Sequence, residues 1–298
     1  MNFDLDQEDL ELQNGIRDLC AGRFSAREAR PGDLGFWDDL REAGVFSLRA
    51  AEPDGLGLGM TQATLVYEEL GRALVPGPLV GTFLAGRPDG VAGLVERGTS
   101  VVEHLEALDE LLVSDDDGLW RVDPSELHGE PVDRPLDPLT PLHRVGDLPQ
   151  GERVGAANRS QMEAATLTAA LSLGIAEAAT DLAVAYAKER EQFGRPIGSF
   201  QAVKHLCADM LVRAEVARAA VYAAAVLLDE GDAHGAVHAA KLLASEAAVV
   251  NGKTCIQVHG GMGFTWEAVP HLYLKRAMVL ATHFGGVDSH AEAMLAHL

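Results

Sequence analysis

Along the first third of the chain, apolar residues recur three and four apart in short bursts, the spacing of one helical face. In LELQNGIRDLCAGRF, Leu12, Ile16, Leu19 and Cys20 share such a face, and Pro31 and Gly32 end the pattern. FWDDLREAGVF, Phe36 to Phe46, predicts a second short helix that closes near Gly44. EPDGLGLG, Glu52 to Gly59, reads as a turn-rich connector, and TQATLVYEELGRALV as a helix stopped by Pro76, Gly77 and Pro78. From about Gly90 to Gly155 the pattern changes to a few short β-favouring pieces, ELLVS, LWRVD and HRVGD, set among Asp and Pro. SDDDG at 114–118 has the composition of a hairpin turn.

Beyond about Asn158 the helical period returns and persists. Thr166 to about Arg190 predicts one long helix, closed by Gly194 and Pro196. A second ends near Gly231, a third near Gly260 and Gly261, and VPHLYLKRAMVLATHF supplies a shorter fourth. Long helices joined by short connections pack as a bundle, and frequent Ala lets them approach closely. The expected fold class is therefore mainly α with a small reduced β domain. Its parts are an N-terminal helical domain over 1–89, a shortened β domain over 90–157 and a C-terminal four-helix bundle over 158–298. No long-period repeat points to a solenoid.

Composition narrows the partners. The 298 residues carry a formal charge of −21, which excludes a nucleic-acid backbone as partner, because that binding needs clustered Lys and Arg. The acidic opening segment MNFDLDQEDLELQ lacks the basic start of a secretory signal, and charged residues interrupt the Ala-rich stretches, so no membrane span and a cytoplasmic location are expected. Cys20, Cys207 and Cys255 are too widely spaced for a metal knuckle, and Cys207 reads as core.

Two stretches stand out from composition: YAKEREQFGRPIGSFQAVKHLCADM, Tyr186 to Met210, and CIQVHGGMGFTWEAVPHLYLKRA, Cys255 to Ala277. Arg190, placed just after a helix, is a fixed cation whose paired donors suit a phosphate; it would equally serve a surface ion pair with Glu189 or Glu191. Gly260 and Gly261 let backbone N–H groups approach a phosphate or ribose, and would also serve as a helix C-cap. His205 and Asp209 lie one turn apart and suit a helix-stabilising pair.

Both stretches, in this order and separation, resemble the C-terminal helical-domain signatures of acyl-CoA dehydrogenases, and GLGLGMTQATLVYEELGRALVPGPL resembles that family's N-terminal helical domain. The resemblance covers nearly the whole chain outside 90–155. It implies FAD as cofactor. Arg190 would contact the FAD pyrophosphate across a subunit boundary, Phe193 would offer an aromatic face and Gln192 a polar group. Ile197, Phe200 and Gln201 would continue the flavin-side wall, and Gln257, Gly260 and Gly261 would form its other half. Phe200 would also serve as packing alone.

The family oxidises an acyl-CoA substrate between Cα and Cβ, with a glutamate as base. Counting from Arg276, the family's usual Tyr-Glu-Gly falls here on Phe284, Gly285 and Gly286, where no carboxylate stands. The family's minority position falls on Ala164, with Glu163 beside it, which leaves Glu163 as the candidate base; Glu177 and Glu267 have no better claim. The loops that hold a flavin ring in the β domain are not found between Arg87 and Arg159, and Trp120 reads as packing. These losses together resemble the small subunit of the heteromeric α2β2 acyl-CoA dehydrogenases of actinobacterial steroid degradation. That implies a longer partner subunit carrying the catalytic glutamate, a steroid-derived CoA thioester and an electron-transfer acceptor. A self-sufficient homomer using Glu163, and a paralogue without FAD, are the alternatives.

Overall fold

A computed structural model describes residues 5–231 and 233–296; the first four residues of the acidic opening segment lie outside it. The N-terminal helices are α1 (Gln7–Arg23), α2 (Trp37–Glu42), α3 (Met60–Ala73) and α4 (Leu79–Ala85). Asp6 caps α1 by accepting from the Asp9 N–H, while the Asp9 carboxylate accepts in return from the Asp6 N–H. α4 was not expected, because Pro76, Gly77 and Pro78 read as the end of helical structure. Tertiary packing makes it: the Thr82 hydroxyl accepts from the Ala92 N–H and donates to the Ala92 carbonyl, fastening α4 to the first strand.

Seven strands follow: β1 (Ala92–Glu96), β2 (Val101–Glu103), β3 (Glu110–Ser114), β4 (Leu119–Val122), β5 (Gly129–Pro131), β6 (Leu142–Val145) and β7 (Glu152–Gly155). One sheet has the order β1-β3-β4-β7, with β1 and β3 parallel; the other has β2-β6-β5 and is antiparallel. The β part is therefore larger than the few strands the sequence predicts. β3 and β4 form the expected hairpin, closed by the Asp115 carboxylate, which accepts from the Asp117 and Gly118 N–H groups and from Trp120 Nε1.

The third part is α5 (Ala157–Glu189), a short hairpin of β8 (Glu191–Gln192) and β9 (Arg195–Pro196), α6 (Gln201–Glu230), α7 (His234–His259), α8 (Pro270–Leu280) and α9 (Val287–Ala296). α5 starts nine residues before the predicted Thr166 and packs against α3, α6, α7 and α8. It is long and apolar enough to cross a membrane, contrary to the expectation that charges interrupt every such run, but 83% of that stretch is buried within the protein. It is the central core helix. Leu167, Leu173 and Ile175 lie in one apolar core with Val66 and Leu70 of α3 and with Val237 and Ala244 of α7. The crossing of α3 and α5 is close on both sides. A Cβ on Gly174 would lie 1.9 Å from the Glu68 carbonyl oxygen, and one on Gly71 would lie 2.1 Å from the Leu171 carbonyl oxygen.

Candidate functional site

The two motif stretches meet at one end of the helical bundle. α5 stops at Glu189, and the chain turns through β8 and β9, with Phe193 and Gly194 at positive φ, before α6 begins. α7 ends at His259, whose ring stacks on Tyr186 of α5 with centroids 4.2 Å apart. Ile197 packs against an apolar cluster that includes Ala187 of α5, Met210 of α6, and Cys255 and Val258 of α7. Arg190, Gln192, Phe193, Ile197, Phe200 and Gln201 thus lie on the α5–α6 connection, and Gln257, Gly260 and Gly261 at the adjoining end of α7.

Most of this end faces outward. Among the described residues, the Arg190 guanidinium makes no hydrogen bond or ion pair, so neither Glu189 nor Glu191 claims it. The Phe193 ring is 92% exposed and meets Phe200 edge-on at 6.1 Å, while the Arg195 guanidinium sits 4.2 Å over the Phe200 ring. Gly260 and Gly261 have open space where a Cβ would be. The Gln192 side-chain amide donates to the neighbouring Glu191 carbonyl, its one side-chain bond among the described residues. An unclaimed guanidinium, exposed rings and uncrowded backbone together fit a molecule with phosphates and planar rings. FAD has that chemistry. His205 and Asp209 are both exposed on α6 without a bond between them, so the expected pair does not form.

Glu163 has another environment. Its carboxylate accepts from Arg49 Nη1 at 2.6 Å and from Arg159 Nε at 2.5 Å, and it is buried. Both oxygens are engaged: Arg49 ties α5 to the connector before α3, and Arg159 lies one turn earlier on α5 itself. It does not line the cavity described next, so the structure does not place it as a base. Glu177 is likewise taken, by Arg72 and Arg218; burial and the Glu68 carboxylate beside it push its carboxyl up.

A cavity of about 370 Å³ lies between α4, β1, β2, α5 and the segment from α8 to Phe284. Its wall is mostly apolar, with Leu79, Val80, Leu94, Val102, Leu171 and Phe284 among the lining residues. None of the residues at the bundle end lines it. Phe284 lines one side of it, and Gly285 and Gly286 follow in the chain. Gly285 has φ 97°, and a Cβ there would lie 2.8 Å from His290 Nε2 and 2.9 Å from Ser289 Oγ. A side chain at 285 would therefore be strained by the backbone conformation and would have to displace the ends of His290 and Ser289. His290 holds the turn by bonding the Phe284 carbonyl at 2.9 Å through Nε2 and His238 at 2.8 Å through Nδ1.

Four ionisable residues line the cavity: Glu96, Glu103, Arg276 and His283. Arg276 is fixed by a buried ion pair with Asp137 and a 3.0 Å bond to the Val75 carbonyl. His283 Nε2 meets Glu103 Oε1 at 2.9 Å. Burial opposes the charge on Glu103, yet His283, His104 and Arg276 hold its carboxyl below the ordinary range. Burial lowers the neighbouring His104 to about 4. Sequence reasoning missed Glu103 and His283. The one available signal was the position of His283 immediately before the turn that lacks its carboxylate.

A family model described as "Acyl-CoA dehydrogenase, C-terminal domain" matches residues 155–298. "Acyl-CoA dehydrogenase IpdE2" of Mycobacterium tuberculosis is 36% identical over 285 residues, covering 86% of this chain and 86% of that protein. "Acyl-CoA dehydrogenase FadE34" of the same organism is 42% identical over 212 residues; the match covers 70% of this chain but only 27% of that longer relative. The solved ChsE4-ChsE5 complex of Mycobacterium tuberculosis includes a chain that matches 100% of this one over 98% of its own length, at TM-score 0.85 and 20% identity. That likeness shows a common fold.

Proposed function

The chain belongs to the acyl-CoA dehydrogenase family, and on that premise we propose that it is the subunit without a base in an FAD-dependent, heteromeric acyl-CoA dehydrogenase. The observation that carries this reading is the turn at Phe284–Gly285–Gly286. The family's base position falls on Gly285, where the backbone conformation disfavours any side chain and His290 and Ser289 crowd the place of a Cβ. Glu163, the other candidate, is held by two arginines.

In this reading the bound flavin supplies the hydride acceptor for oxidation of a CoA thioester. This chain's part is to hold the adenosine–pyrophosphate side. Arg190 presents paired N–H donors to phosphate oxygens, Phe193 and Phe200 offer ring faces, and the Gly260–Gly261 backbone allows close approach. Gln192, Gln201 and Gln257 orient the polar edge, and Ile197 fixes the connection to the bundle. The longer partner provides the glutamate that takes the α proton. The solved ChsE4-ChsE5 pair supports an assembly of two unlike chains in this fold. A steroid-derived acyl group is the substrate class that the resemblance of the motif stretches favours.

The test is co-expression with a longer relative that carries the glutamate, followed by measurement of FAD and both chains in the purified product. One FAD per pair of unlike subunits is expected, and Arg190→Ala should lower the bound flavin at least about tenfold through loss of charge-assisted bonds. A yellow homomer with one FAD per chain would overturn the divided-site reading. A colourless pair under flavin-replete conditions would favour a paralogue without FAD.

A further inference from the structure

A second recess, of about 340 Å³ and open to solvent, lies between the last two turns of α1, the segment that follows, the end of α3 and the start of α8. It shares no residue with the larger cavity or with the bundle end. Three arginines line it, Arg17, Arg27 and Arg72, against one carboxylate, Glu69, in a chain whose formal charge is −21.

The three cations differ in what they have left to give. Arg72 is spent: its Nη1 donates to Glu177 at 2.9 Å and its Nη2 to Asp181 at 2.6 Å. Arg17 is held in place. Its Nε and Nη2 donate to the two oxygens of buried Glu69 at 3.0 and 2.6 Å, and its side chain is still half-exposed. A guanidinium has five N–H groups, so Arg17 keeps donors that no described residue takes. Arg27 is exposed and makes no hydrogen bond or ion pair among the described residues. The rest of the wall is largely apolar, with Ala21, Phe24, Ala73 and Val269. Burial pushes the Cys20 thiol beside them up to about 12, so it adds no charge.

Two guanidinium groups with donors to spare, next to an apolar wall, suit an anion with an apolar body. A doubly charged anion is a poor match, because Glu69 lines the recess and Glu177 and Asp181 stand behind Arg72. A carboxylate carries a single charge, and its planar pair of oxygens matches the guanidinium fork. A flat ring suits both the Phe24 face and the planar guanidinium groups. A dry cavity of about 150 Å³ takes benzene, so there is space for an acid with one ring.

We propose that this recess is a binding site for a small aromatic carboxylate, whose oxygens meet Arg27 and the remaining N–H groups of Arg17. Arg17 and Arg27 are the binding groups, and Glu69 positions Arg17. The proposal is independent of the flavin reading, because none of the residues assigned to the flavin lines the recess.

The experiment titrates the full chain with sodium benzoate, benzamide and inorganic phosphate at constant ionic strength, following the methyl resonances of Ala21, Ala73 and Val269 by NMR. Benzoate is expected to shift these methyls and to bind about tenfold tighter than benzamide, the effect of charge-assisted hydrogen bonds, and tighter than phosphate. Arg27→Gln should weaken benzoate about threefold, as for an exposed ion pair, and leave benzamide unchanged. Arg134→Gln makes the same change of charge at an exposed position outside the recess and should leave both affinities unchanged. Equal affinity for benzoate and benzamide, tighter binding of phosphate, or no shift with any probe would overturn the assignment. So would a benzoate affinity that Arg27→Gln leaves intact or that Arg134→Gln lowers equally. Arg27→Gln removes no hydrogen bond or ion pair among the described residues, so the variant keeps the fold on which the comparison depends.

Discussion

Lys241 shows how one residue sets a pH dependence. It is 1% exposed, within α7, with its ammonium donating to Ser245 Oγ at 3.2 Å and the Leu280 carbonyl at 3.0 Å. Burial pushes its pKa down to about 8, against a small opposing effect from Glu96. The folded chain therefore releases this proton at lower pH than the unfolded chain does. The stability penalty of a buried charge is complete below pH 8 and fades as pH rises from about 8 towards 10.5. Lys241→Met removes the charge with little change of shape. It should raise stability at pH 7 by about 1–3 kcal/mol, with a smaller advantage at pH 10. Urea denaturation at both pH values checks this. A gain independent of pH would mean that packing, and not charge, is responsible.

At the level of elements, the reciprocal glycines of α3 and α5 fix how near two core helices lie. A methyl group on Gly174 would overlap the backbone at Glu68, which has no flexible end to move aside. Gly174→Ala should cost about 3 kcal/mol or more, whereas Gly15→Ala on exposed α1, with nothing within 4 Å, should stabilise by about 0.5–1 kcal/mol. Thermal melts of the two variants in parallel separate packing from propensity, since propensity alone predicts a gain in both. The long bundle helices were legible because their period repeats over many turns. β5 and β7 were not: β5 is three residues long and contains Pro131, and β7 is largely exposed, so neither shows an alternating apolar face. The bundle-end residues were legible because they occupy two contiguous stretches. Glu103 and His283 are joined only by the fold, one on a three-residue strand and the other beyond α8, and no local pattern links them.

Across the whole molecule, α5 connects both regions. It lines the cavity with Thr168 and Leu171 and ends at Arg190. At ~1.5 Å rise per residue, Leu171 and Arg190 are about 28 Å apart along the helix axis. Short-range changes at one end should therefore not reach the other. His283→Phe should leave flavin retention in the co-expressed pair within about twofold of the unaltered chain. Flavin absorbance of the purified pair measures this, and loss of flavin in that variant would reveal coupling through the bundle.

The α3–α5 crossing also has a consequence during synthesis. α3 buries Leu65, Val66, Tyr67 and Leu70, yet the helix it crosses begins only at Ala157, after all seven strands. At ~5–20 residues per second, translation of the intervening chain takes on the order of ten seconds. During that interval the N-terminal helices have emerged without the surface they are shaped to meet. Nascent chains halted before Ala157 should therefore be clients of apolar-binding chaperones, and release from them should coincide with the emergence of α5.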